Sequence, residues 1–233
     1  LAIGKILTYL KENNLMEKTI IVFSSDNGSY RVESNGGLRA GKSSLYDGGI
    51  HVPGIIRWQG ITTEKKIIET PVGFVDFVPT FCDLLEIAPP ENLDGASILP
   101  LLKGEIFERT NLLYWFFYRT VPEIAVRFGD YMVLGLDNDT LPRTRSFAYR
   151  DLKYISSIKI KDYELYNLKN DFSQQEDLFK NHPDKDDFKL LIDNRLYELK
   201  TNIYLWKDLP EYLDRRRRTK DKMAAFNKNN GGI

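Results

Sequence analysis

The run Thr19 to Ser25, TIIVFSS, stops at Asp26-Asn27-Gly28 and gives way to a glycine-rich stretch, SNGGLRAGKSSLYDGG, that holds one lysine, Lys42. β-Branched and aromatic residues in series, with no polar alternation, read as a parallel strand buried on both faces. Ahead of it, Ile3, Ile6, Leu7 and Leu10 recur at helical spacing, with Lys5, Lys11 and Glu12 on the other side. That pattern predicts a surface helix over residues 1–13. A helix feeding a buried strand is the grammar of an α/β protein.

The same grammar continues to about residue 105. PGIIRW reads as a second short buried strand, and VDFVPTFCDLLEI as a helix with Asp76 near its start and Pro79 tolerated in its first turn. PENLDGASILPLLKGE reads as a loop around one short helical turn. Beyond it, NLLYWFFYR, EIAVRFGDYMVLGL and DYELYNL are strand-like, joined by polar turns without intervening helices, which predicts a small antiparallel sheet. Phe188, Leu191, Ile192, Leu196 and Leu199 keep helical spacing, enough for one helix covering that sheet. The expected division is 1–105, 106–213, and a basic, mobile tail over 214–233 that includes Arg215 to Arg218.

Totals narrow the classes of function. Lysine plus arginine and aspartate plus glutamate both number 33, so no global charge draws the chain to nucleic acid or an anionic membrane. No apolar run reaches the roughly 20 residues of a membrane span, and no signal-peptide pattern is present. One cysteine, Cys82, excludes an internal disulfide and a cysteine-rich zinc site; within FCDLL it reads as a core residue.

Neighbouring residues on a strand point to opposite faces, so Asp26 and Asn27 can serve one ligand only where the chain already turns. Gly28, free to take positive φ, supports such a turn at the carboxyl end of a strand, where ligands of open α/β sheets collect. Asp and Asn oxygens are hard donors suited to Ca²⁺ or Mg²⁺. Lys42 offers a compact positive charge suited to a tetrahedral oxyanion. Alone, Asp-Asn-Gly is also a common turn and a loop lysine is usually solvated. The glycine-rich stretch does not have P-loop spacing. His51, placed in a strand between Ile50 and Val52, is a candidate base and a candidate for contact with substrate, though a histidine so placed is more often structural. His182 reads as a surface-loop residue. Tyr114 to Phe117 could line a sugar pocket but suit a core strand equally.

Taken together, TIIVFSSDNG, SNGGLRAGKSSLYDGGIHVPGIIRWQG, TPVGFVDFVPTFCDLLEI, LDGASILPLLKG and ELYNLKNDFSQQEDL resemble, in order, the C-terminal half of the formylglycine-dependent sulfatases, arylsulfatases included, of the alkaline phosphatase superfamily. The family pattern is a strand ending in S/T-D-N-G, then L-R-G-x-K-x-[ST]-x-[YW]-E-G-G-x-R-V-P. Later comes L-Y-[DN]-L-x-x-D-P-x-E-x-x-N-L. The resemblance implies the last strands of an alkaline-phosphatase-like mixed sheet flanked by helices, followed by the small antiparallel sheet with its covering helix. It implies that Asp26 and Asn27 are metal ligands, for Ca²⁺ or Mg²⁺, and that Lys42 contacts the sulfate group. His51 stands where the pattern has Arg, Asp47 where it has Glu, and Phe172 where it has Pro.

The family's nucleophile motif, C/S-x-P-S-R, whose Cys or Ser becomes formylglycine, is not found in these 233 residues, and TLPRTR matches it only superficially. The expectation is therefore a C-terminal portion of a sulfatase, with the nucleophile and the first metal ligands upstream, inactive by itself. The complete protein would hydrolyse sulfate monoesters of a glycan or aryl compound, in an extracytoplasmic setting. The rivals are a phosphate or phosphonate monoester hydrolase of the same superfamily, and a non-catalytic degenerate sulfatase that binds a glycan or a partner.

Overall fold

The computed structural model describes residues 2–62, 64–119, 121–141 and 151–203. The basic stretch Arg215 to Arg218, and most of TLPRTR, lie outside them. Helix α1 (Ala2–Glu12) forms as the periodicity predicts and ends at Asn14, whose φ of 57° is a left-handed stop that asparagine tolerates. Its apolar stripe is not covered by any described element: Ile3, Ile6 and Tyr9 are all exposed.

Strand β1 (Ile21–Ser24) forms where TIIVFSS predicts, but its setting differs from the expectation. It pairs antiparallel with β2 (Gly54–Arg57), Ile21 opposite Arg57 and Ser24 opposite Gly54, and the two make a sheet by themselves. Val22, Phe23 and Ile55 are exposed. An apolar run specifies a strand that wants cover on both faces; it carries no information about the direction of its neighbour. Between the two strands lies a short helix, α2 (Asp47–Ile50), so that His51 follows a helix end rather than sitting inside a strand.

Helix α3 (Phe77–Leu84) starts immediately after Asp76 and buries Pro79, Thr80 and Cys82. Asp76 is fully buried and accepts from the amides of Gly73 (2.7 Å) and Ala96 (3.0 Å). Arg109 closes on the same carboxylate with both guanidinium nitrogens, at 2.9 and 2.7 Å. Helix α4 (Leu99–Lys103) is the expected single turn, ended by Gly104 at φ 85°.

The second sheet is β3 (Leu113–Phe117), β4 (Glu123–Phe128), β5 (Tyr131–Leu136) and β6 (Asp162–Asn167), antiparallel throughout and in that order. Contrary to the expectation of turns alone, a short helix, α5 (Leu152–Ser157), stands between β5 and β6. Six residues with Ile155 as their one buried side chain are too few to register as a helical period. Strand alternation sends Ile124, Val126, Val133 and Leu165 to one face, where α6 (Lys185–Asn202) lays Phe188, Ile192 and Leu196 against them. His182 is not a free loop residue: its ring packs edge-on against Tyr131 and Phe188. Ala125, Met132, Leu134 and Tyr166 point to the opposite face and meet Leu45, Tyr46 and Ile50. The sheet is therefore covered on one side by a helix and on the other by the glycine-rich stretch.

Candidate anion and metal site

The chain bends at Asp26 and Asn27, directly after β1. The Ser25 hydroxyl donates to the Asn27 carbonyl at 2.9 Å, and the Gly28 amide donates to the Gly49 carbonyl at 2.8 Å. Glycine is required at position 28 for a reason other than backbone angle: a Cβ there would lie 1.8 Å from the Gly48 carbonyl oxygen. The strand end is thus pressed backbone-to-backbone onto α2.

Lys42 lies in a loop closed at its base by the Gly48 amide donating to the Arg39 carbonyl at 2.9 Å. The Lys42 amide itself donates to the Ser29 carbonyl at 3.0 Å, which ties the loop to the segment after Asn27. Asn35 braces the inside, accepting from the Ser29 amide and donating to the Ala40 carbonyl. On either side of the lysine, Ala40 (φ 59°) and Ser43 (φ 76°) hold left-handed backbone that costs a non-glycine residue energy. Ala40 occupies the glycine position of the L-R-G-x-K pattern.

Asp26, Asn27, Lys42 and His51 line one cleft of about 680 Å³. Asp26, Lys42 and His51 are exposed and Asn27 half-buried. His51 Nδ1 is 3.2 Å from a carboxylate oxygen of Asp47, which is buried. That hydrogen bond raises the His51 pKa above its ordinary value, against the opposing effects of partial burial and the Arg127 charge. A carboxylate and a carboxamide oxygen at one strand end are the donor chemistry of Ca²⁺ or Mg²⁺. No group of three or more His, Cys, Asp or Glu side chains suited to a metal occurs among the described residues. Asp26 and Asn27 therefore fit part of a hard-cation shell. Lys42 and a protonated His51 supply positive charge for an anion beside it.

Residues that the sequence did not single out hold this loop in place. Arg39 donates to the Tyr166 hydroxyl (2.6 Å), the Gln174 carbonyl (2.9 Å) and the Tyr46 hydroxyl (3.1 Å), with its guanidinium 4.0 Å from the centre of the Tyr46 ring. Tyr46 and Tyr166 both donate to one oxygen of Glu164, at 2.6 and 2.8 Å. Burial and that carboxylate push both phenols well above their ordinary pKa, so they remain donors. The Leu45 amide donates to Glu123 (2.8 Å) and the Asp47 amide to the side chain of fully buried Gln174 (2.7 Å). LRAGK and ELYNL are both in the quoted pattern, but nothing in either stretch says that they meet.

This arrangement has known counterparts. Residues 2–87 match the family model for sulfatases. Over that segment the chain is similar to sulfatases. Among curated proteins, a sulfatase of Formosa agariphila is 27% identical over 217 residues, spanning 83% of this chain and 36% of that protein. Human steryl-sulfatase is 34% identical over 139 residues, 54% of this chain and 24% of that protein. The chain therefore spans well under half the length of these sulfatases. Its fold matches that of BT4656, solved with its substrate D-glucosamine-2-N,6-O-disulfate, at a TM-score of 0.66 and 22% identity, over 86% of this chain and 38% of that one. The same fold occurs in the phosphonate monoester hydrolase of Agrobacterium radiobacter, at a TM-score of 0.57 and 20% identity, over 85% and 38%. The mixed α/β architecture is thus shared with these solved structures.

Proposed function

We propose that this chain is the C-terminal portion of a sulfuric ester hydrolase and contributes part of its metal shell and its sulfate contact. The observation that carries the reading is the meeting of Asp26, Asn27, Lys42 and His51 in one cleft. Asp26 and Asn27 would hold Ca²⁺ or Mg²⁺ together with ligands from elsewhere in the protein. The bound cation would offset sulfate charge and favour the deprotonated nucleophile. A formylglycine, supplied from outside this sequence, would provide the attacking hydroxyl.

This chain's own residues perform the remaining tasks. The Lys42 ammonium balances the negative sulfate oxygens, and its loop fixes that charge before substrate arrives. His51, oriented by Asp47, adds a second positive charge when protonated and a hydrogen-bond donor at the cleft wall. The substrate class is a sulfate monoester of a sugar or aryl alcohol. Its setting is extracytoplasmic, and among the described residues no helix is long and apolar enough to cross a membrane.

The phosphonate hydrolase likeness favours one second reading, hydrolysis of a phosphate or phosphonate monoester, because the same cation and lysine serve either anion. The test is turnover of a chromogenic aryl sulfate against the matching phosphate and phosphonate esters by the polypeptide that carries this chain. Preference for sulfate, with Lys42→Ala lowering kcat by about a hundredfold or more, supports the reading. Preference for the phosphonate ester selects the alternative. Sulfated-glycan binding without turnover of any ester identifies a non-catalytic protein.

A further inference from the structure

We infer that Glu164 and Gln174 are positioning residues for Lys42, acting through the loop from more than a hundred residues away; the inference rests on reading Lys42 as the sulfate contact. Lys42 lies midway along a span staked at both ends. At one end, Arg39 is held by the Tyr166 hydroxyl and the Gln174 carbonyl. At the other, Tyr46 donates to Glu164 and the Asp47 amide to the Gln174 side chain. Gln174 therefore grips both ends at once, with its backbone and with its side chain.

Glu164 closes the ring. One of its oxygens accepts hydrogen bonds from both phenols, and both phenol oxygens accept from Arg39. The cluster carries one positive and one negative side chain, so it adds no net charge beside the cleft. Its role is geometric. Gln174 is fully buried and holds φ at 54°, a backbone state that its surroundings must impose. Its side chain accepts the Asp47 amide at a position where water cannot replace it.

The experiment uses the polypeptide that carries this chain, with inorganic sulfate as the probe, in sodium chloride matched for ionic strength. Amide hydrogen exchange is followed for Lys42 and Gly48, which Gln174 does not touch, and for Val126 and Val133 in the sheet core. In Gln174→Ala, exchange at Lys42 and Gly48 should quicken by about tenfold or more, while Val126 and Val133 stay protected. Sulfate affinity should fall by about tenfold, and the fall should vanish when Gln174→Ala is made in a Lys42→Ala background. A residue with a merely structural role would lower protection everywhere, in both backgrounds.

Glu164→Gln should behave as Gln174→Ala does. If Gln174→Ala does not fold, Tyr46→Phe carries the same test, because it keeps the ring and the cation–π contact and removes only the hydroxyl, which donates to Glu164 and accepts from Arg39. Unchanged exchange at Lys42 and Gly48, or an equal rise at Val126 and Val133, overturns the inference. If the unaltered chain does not bind sulfate, the reading of Lys42 falls, and the exchange at Lys42 and Gly48 alone decides whether its loop is positioned from Glu164 and Gln174.

Discussion

Replacing Asp76 by asparagine keeps its shape and removes its charge. The carboxylate accepts from two backbone amides, at Gly73 and Ala96, and from both terminal nitrogens of Arg109. It is fully buried, and the Arg109 side chain is only 14% exposed. Asparagine can accept on one side only. Its NH₂ would face donors from Gly73 and Arg109, and the guanidinium would lose its counter-ion. Breaking one partner of a buried pair costs about 3–5 kcal/mol, because the surviving charge stays desolvated. Asp76→Asn should therefore cost about that much in urea-induced unfolding, with an unchanged dependence on denaturant.

A second variant separates the charge argument from a general packing defect. Replacing both partners, Asp76→Asn with Arg109→Met, removes the stranded cation and should recover a large part of the loss. The sign with pH follows from the same contacts. Burial acts to raise the Asp76 pKa, but Arg109 and the two amides together hold it below its ordinary value. Its contribution is therefore complete above the unfolded-state value and is lost as pH falls through the lower folded value. A single variant costing under about 1 kcal/mol, or a double variant as unstable as the single, would refute the account.

Two further outcomes follow from the site. Ala40→Gly should raise the urea midpoint by an amount equivalent to about 1 kcal/mol, since φ 59° is costly for alanine and free for glycine. A lower midpoint would show that the strain is not real. His51 should titrate above its ordinary value by NMR because of the Asp47 hydrogen bond, and Asp47→Asn should bring it down. The pair's contribution to stability, and His51's to sulfate affinity, is present below the unfolded value and lost as pH rises through the higher folded one. Sulfate affinity that is flat across that range would remove His51 from the cleft's chemistry.

What could be read in the sequence divides along the distance between partners. Asp26, Asn27, Lys42 and His51 lie within a short stretch, and the turn after β1 and the closed loop bring them to one cleft. The helical periods of α1 and α6, and the strands of the second sheet, come from repeats of nearby residues. The antiparallel pairing of β1 with β2 does not, because an apolar run has no direction. Nor does the contact of Arg39 with Tyr166 and Gln174, since each residue has an ordinary polar reading in its own neighbourhood. Gly28 shows a subtler limit: its identity suggests a turn, whereas the close approach of Gly48 explains it.

The strained loop and its distant supports can be weighed against each other. Left-handed backbone at Ala40 and Ser43 costs about 1–2 kcal/mol apiece. Against this stand the bonds from Arg39 to Tyr166 and Gln174, from Leu45 to Glu123, from Tyr46 to Glu164 and from Asp47 to Gln174. Each is worth about 1 kcal/mol net, the charged ones somewhat more. Four of the five involve a charged group, so the supports exceed the strain by several kcal/mol on these scales. Losing one buried acceptor narrows that margin, so the loop would sample relaxed backbone more often and Lys42 would be displaced from its place in the cleft lining. The β-sheet face carrying Glu123, Glu164 and Tyr166 thus supports the proposed anion site although it lines none of the cleft. Substitutions there should resemble substitutions of Lys42 long before they resemble unfolding.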